Sequence, residues 1–307
     1  MSAVKRLFSY VEIKTKVTSV FPFLMTLAYL FAHGAAIDLP RTAVFFFGML
    51  LFDLTATSIN NYEDSKKTGQ PIAFSRKTAL RVTLFLFFLS AALGLWLVAL
   101  TDAVVLLAGG LCFLFGVMYS YGPVPISHGP YGELASGFFY GFLIPFLLVY
   151  VNVPQTLLTY AFSNGTLAVE FGLMPLIGLI LLAVLPFCLT ANIMLANNIC
   201  DCERDIAAKR FTLAYYLGKK RSLRLFAALY YLAYASAAAM AIFGLLPPTS
   251  LLLLLTLVPV QKNINAFFKK QEKGETFILS VKNFLIVILT HIALIALGGL
   301  LPAWGPR

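Results

Sequence analysis

The 307-residue sequence is poor in charge. Asp, Glu, Lys and Arg together make up 12% of it, about half the share of a typical soluble domain. That excludes a chain whose surface is mostly wetted. Acid is the scarcest kind of charge: 13 Asp and Glu stand against 23 Lys and Arg, a net charge of +10. With no polar domain to hold a nucleic acid, the basic excess points to cationic loops and anionic lipid headgroups instead. Cysteine is confined to Cys112, Cys188, Cys200 and Cys202. The last two form a C-x-C pair with no second Cys/His pair near it, which speaks against a zinc site. No small-residue cleavage site follows the first apolar run, so the basic start "MSAVKRLFSYVEIKTK" is not expected to be a cleaved signal peptide.

What fills the chain is apolar. Hydrophobic residues make up 60% of it, with 28 Phe against 2 Trp, and the mean hydropathy is +0.87. A helix needs about 20 mostly apolar residues to cross the bilayer core. Nine segments qualify, near 18–36, 42–60, 80–100, 103–122, 132–152, 172–197, 224–244, 248–267 and 280–302. The stretch 153–171, "VPQTLLTYAFSNGTLAVEF", is too polar to span and reads as an external loop with a short helix on the membrane surface. If the N-terminus is cytoplasmic, 21 of the 23 Lys and Arg fall on the cytoplasmic side, and only Arg41 and Arg307 lie elsewhere. This asymmetry sets the expected orientation, with the C-terminus external. The expectation is an all-α, polytopic protein of one membrane-embedded domain over 1–307, its helices bundled around an apolar cavity open to the cytoplasmic face.

Two polar stretches interrupt the apolar pattern at span ends. "NNYED" occupies 60–64 and "NNICD" occupies 197–201, offset by 137 residues. Residues four apart share a helix face. Asn60 and Asp64 are such a pair, and Asp53 and Thr57 carry the stripe deeper. Asn197, Asp201 and Asp205 repeat the pattern, and Lys209 extends it. One reading makes these acids helix ends paired with Lys66, Lys67, Arg204 and Lys209. The other makes them hard oxygen ligands. Mg²⁺ is usually held by one or two carboxylates plus substrate phosphates, and neighbouring Lys and Arg would take up the remaining phosphate charge. A diphosphate on an apolar tail suits such a site. Loss of an allylic diphosphate leaves a carbocation that a dry cleft protects from water.

These motifs resemble those of the UbiA superfamily of intramembrane aromatic prenyltransferases, whose first motif is N-D-x-x-D-x-x-x-D and whose second is D-x-x-x-D. Here they read "NNYEDSKKT" (60–68) and "DCERD" (201–205). Within the superfamily, "NNICDCERDIAAKRFTLAYYLG" (197–218) and "YSYGPVPISHGPYGELASG" (119–137) look like the menaquinone branch, 1,4-dihydroxy-2-naphthoate prenyltransferase. The resemblance implies Mg²⁺-dependent transfer of a polyprenyl chain from its diphosphate to an aromatic acceptor, with two ions, in a bacterial cell membrane. It implies that Asp64, Asp201 and Asp205 are catalytic and ligate metal together with Asn60 and Asn197. It makes Lys67, Arg204, Lys209 and Tyr119 diphosphate contacts. Asn61, Asn198, Asp53, Glu133, Lys14 and Lys16 are further candidates. Two positions depart from the pattern, Asn61 and Thr68 standing where the family has Asp. A sibling enzyme with another acceptor (4-hydroxybenzoate, homogentisate, haem or a secondary metabolite), a transporter and a lipid-binding relative are the alternatives.

Overall fold

The computed structural model describes residues 2–68, 72–122 and 125–301; within them the side chains of Ala3, Lys67 and Thr68 are not described. Among the described residues nine helical segments are long and apolar enough to cross a membrane, from Ile13–Ala32 to Phe277–Gly299. Every expected span is met, the fifth at its expected bounds, Gly132–Asn152. The chain is a multi-pass integral membrane protein.

The residues form two compact units, Met1–Val20 with Asp38–His128, and Phe21–Ile37 with Gly129–Arg307. The first contains α1 (Ala3–Tyr10), the start of α2 (Val17–Ala32), α3 (Leu39–Thr68), α4 (Arg76–Leu100) and α5 (Ala103–Ser120). Ser75 and Asp102 cap α4 and α5 by accepting from the Thr78 and Val104 amides, which satisfies donors a helix start leaves open. Tyr10, at the end of α1, is buried; its hydroxyl bonds the Ser58 carbonyl at 3.0 Å and the Thr83 hydroxyl at 2.9 Å. It thereby ties α1 to α3 and α4.

The second unit holds the rest of α2, then α6 (Gly132–Ser136), a π-helical segment (Gly137–Leu143), α7 (Ile144–Asn152) and α8 (Pro154–Leu157). Next come β1 (Leu158–Ser163), β2 (Thr166–Phe171), α9 (Leu173–Ala207), α10 (Leu213–Ile242), α11 (Leu257–Lys269) and α12 (Phe277–Gly299). Span five is thus one helix interrupted by a π-turn, a departure often found at functional sites. It packs on α9 so closely that a Cβ at Gly141 would overlap the Phe187 backbone. In α10 the helix breaks at Gly218, whose φ of 70° lies in the left-handed region. A short helical stretch, residues 213–217, therefore precedes the kink.

One expectation needs correcting. The stretch 153–171 is not a loop with a surface helix alone: after the short α8 it forms an antiparallel hairpin, Leu158 pairing with Phe171 and Ser163 with Thr166. Asn164 and Gly165 turn with φ of 48° and 75°, the two positive values a tight two-residue hairpin requires. Leu158, Tyr160, Phe162, Leu167, Val169 and Phe171 alternate onto one face of it.

Candidate functional site

α9 runs for 35 residues, well beyond the ~20 a span needs, so its last turns carry polar residues past the apolar stretch. Asp201 and Asp205 both lie in the last two turns and both are buried, at 6% and 8% exposure. The C-terminal end of a helix is the negative pole of its dipole, so two buried carboxylates there demand positive charge. Two side chains answer at Asp201: Oδ2 accepts from Arg204 at 2.9 Å and from Lys273 at 2.7 Å. Lys273 also donates to Asn197 Oδ1. The charged neighbours of Asp205 are Asp201, Arg210, Arg204 and Lys273. The helix ends just beyond: the Lys209 and Arg210 amides donate to the Ile206 and Asp205 carbonyls, and Lys209 holds a left-handed φ of 56°. That is the double-bonded C-terminal stop usually built on glycine.

Asn198, one residue from the acidic stripe, serves a different purpose. Its amide donates at 2.9 Å to Glu133 Oε1 at the start of span five. Both residues are buried, and Glu133 Oε2 makes no hydrogen bond.

In the first unit the same division of labour recurs. Asn60 Oδ1 accepts from Ser120 at 2.9 Å, next to the half-buried Tyr119. Asn61 points its amide the other way, donating to the Tyr10 carbonyl at 2.8 Å and to Glu12 at 3.2 Å. This explains why Asn61 stands where the resembled motif has Asp: a carboxylate there would face a carbonyl oxygen and another carboxylate, with no proton to donate. Asp64 is half-buried, Glu63 buried and Lys66 exposed. The side chains of Lys67 and Thr68 lie outside the described residues.

Deeper along α3 the two candidates Lys16 and Asp53 meet each other. The Lys16 ammonium donates to Asp53 Oδ1 at 2.9 Å and to Thr57, and Ser19 donates to Asp53 Oδ2 at 2.6 Å. Both charges are 5% exposed, and such a pair persists where the two charges and their hydrogen bonds satisfy one another. Asp53 thus has protein partners on both oxygens. Lys14 is exposed.

Lys273, Glu12 and Ser120 were not legible as site residues. Lys273 lies 72 and 76 positions from its two partners, in a loop with several cations and no motif around it.

Among the described residues no three His, Cys, Asp or Glu side chains group as a ready metal cage. The donor set on α9 nevertheless fits a hard divalent ion: Asn197, Asp201 and Asp205 offer oxygens along one face, and Mg²⁺ takes few protein ligands when phosphates supply the others.

The sequence matches the UbiA prenyltransferase family over residues 19–286. It is 25% identical over 261 residues to the 1,4-dihydroxy-2-naphthoate octaprenyltransferase of Bacillus subtilis (strain 168), covering 80% of this chain and 77% of that protein. The fold resembles that of a UbiA homolog from Archaeoglobus fulgidus bound to GPP and Mg²⁺, with a TM-score of 0.64 and 14% identity over 95% of this chain and 99% of that one. It also resembles the apo structure of a UbiA homolog from Aeropyrum pernix K1, with a TM-score of 0.63 and 17% identity over 89% and 97% of the two chains.

Proposed function

The chain belongs to the UbiA prenyltransferase family, and from that premise we propose that it transfers a polyprenyl chain from polyprenyl diphosphate to 1,4-dihydroxy-2-naphthoate, a step of menaquinone biosynthesis. The observation that carries this reading is the pair of buried carboxylates, Asp201 and Asp205, at the negative end of α9. The name of the Bacillus subtilis relative supports the acceptor. The Archaeoglobus fulgidus homolog bound to GPP and Mg²⁺ supports the donor class and the metal.

In this reading Asn197, Asp201 and Asp205 hold Mg²⁺, and Asn60 and Asp64 of the first motif contribute as well, two ions in all. Bound Mg²⁺ neutralises the charge that builds on the departing diphosphate. Arg204, Lys209, Lys67 and Tyr119 bind and orient the diphosphate. The allylic C–O bond breaks, and its electron pair leaves with the diphosphate. The electron-rich ring of the acceptor then forms a C–C bond to the prenyl cation, and the ring carboxyl departs as CO₂ to give the reduced, naphthalenediol form of demethylmenaquinone. The apolar helices keep water from that cation. The Lys and Arg asymmetry supports a site on the cytoplasmic side, and the Bacillus subtilis relative supports a bacterial cell membrane.

The test is mass spectrometry of the products formed from geranylgeranyl diphosphate and an equimolar mixture of 1,4-dihydroxy-2-naphthoate, 4-hydroxybenzoate and homogentisate. A prenylated, decarboxylated naphthalenediol is expected. Prenylation of either other acceptor in its place contradicts the acceptor, and no prenylated product at all contradicts the whole reading.

A further inference from the structure

Lys273 stands between α11 and α12, outside both acidic motifs. Its ammonium reaches two oxygens on α9 from residues four apart, Asn197 Oδ1 and Asp201 Oδ2. It also sits 4.7 Å from the centre of the Phe277 ring, within range of a cation–π contact. The loop that delivers it is pinned at both flanks: Lys270 pairs with Glu272 at 3.0 Å and with Glu275 at 2.8 Å, and the Glu272 amide donates to Thr276 at 2.8 Å.

A lysine ammonium is a compact point charge. Here it engages the same two oxygens that a metal ion on Asn197 and Asp201 would need. Arg204 contacts Asp201 too, but its side chain is 73% exposed against 41% for Lys273.

We infer that Lys273 is a tethered cation that occupies the metal position of motif two until substrate arrives, so that it competes with the divalent ion. This rests on the proposed reading of Asp201 as a metal ligand. The negative helix end and the buried acids need a positive charge in every state, and Lys273 supplies it while no metal is bound. An incoming diphosphate offers the ammonium a more highly charged partner. Lys273 then moves from Asp201 to the anion, and Asn197 and Asp201 are released to the metal. Metal and diphosphate binding become coupled through one side chain, and a positioning residue sets the order in which the site fills.

The experiment is Mn²⁺ titration of the full chain in detergent, read by electron paramagnetic resonance, with no diphosphate present. Wild type, Lys273→Met, Lys273→Gln, Lys273→Arg and Asp201→Asn are compared. Removing the competing charge should tighten Mn²⁺ binding about tenfold in both Lys273→Met and Lys273→Gln, the scale of one charge-assisted hydrogen bond. Lys273→Arg keeps the charge and should stay near wild type. If Asp201→Asn loses Mn²⁺ while Lys273→Met and Lys273→Gln bind no tighter than wild type, the tethered-cation inference is overturned and the metal assignment stands. If Asp201→Asn binds Mn²⁺ as wild type does, the metal assignment itself falls.

Discussion

At the scale of single residues, the paired asparagines turn out to have separate duties. The first of each pair, Asn60 or Asn197, offers its oxygen to a donor. The second, Asn61 or Asn198, spends its amide on a distant segment. From sequence alone Asn61 reads as a lost ligand, because the i, i+4 rule places residues on faces without saying what meets them. The structure makes it a tie between α3 and the end of α1. Asn61→Asp, which restores the family's residue, should therefore lower stability by about 1 kcal/mol or more without raising divalent-ion affinity. Thermal unfolding and Mn²⁺ titration of the same variant check both halves. Lys209 gives the opposite pattern. Its left-handed φ of 56° is one that glycine adopts at little cost. Lys209→Gly is expected to hold or raise the melting temperature while weakening diphosphate binding, whereas a purely structural lysine would leave the KM for the diphosphate unchanged.

Among the elements, those built on hydrophobic runs were the most legible. Spans are written in composition, and the nine expected segments appear within a few residues at most ends. The exceptions are polar extensions such as the last turns of α9. The hairpin of β1 and β2 was missed because each strand has six residues and its signal is the single Asn164-Gly165 turn. The π-turn in span five left no trace in periodicity, yet its two glycines mark it: Gly137 and Gly141 both face Phe187. Gly141→Ala should force α9 and span five apart and cost about 1–3 kcal/mol or more, seen as a lower melting temperature. The loop from Lys270 to Thr276 has its own pH behaviour. Its hydrogen bond to Lys270 holds Glu275 below its ordinary 4.5, so that pairing contributes above pH 4.5 and is lost as pH falls through the lowered value. Its bonds to Glu275 and then Glu272 hold Lys270 above its ordinary 10.5, so its part is lost only as pH rises through the raised value. Amide exchange in this loop should thus show constant protection between about pH 6 and 9, with loosening in acid.

On the scale of the whole molecule, family and class were legible because both are carried by features that need no tertiary knowledge: apolar length, Lys/Arg asymmetry and two motifs of fixed spacing. What the sequence left open depends on contacts between residues far apart in the chain. Lys273 meets Asp201 across 72 residues, and Glu133 meets Asn198 across 65. No local pattern announces either. The central claim is that Asp201 and Asp205 hold the divalent ion on which prenyl transfer depends. Its most direct test is the initial rate of transfer from labelled geranylgeranyl diphosphate to 1,4-dihydroxy-2-naphthoate in membranes carrying wild type or Asp205→Asn, with Mg²⁺ or with EDTA. The predicted result is transfer by wild type that EDTA abolishes and Mg²⁺ restores, together with a loss of about 100-fold or more in Asp205→Asn, the scale on which charge-stabilising groups act. Transfer that persists in EDTA, or that proceeds at the wild-type rate in Asp205→Asn, would contradict it.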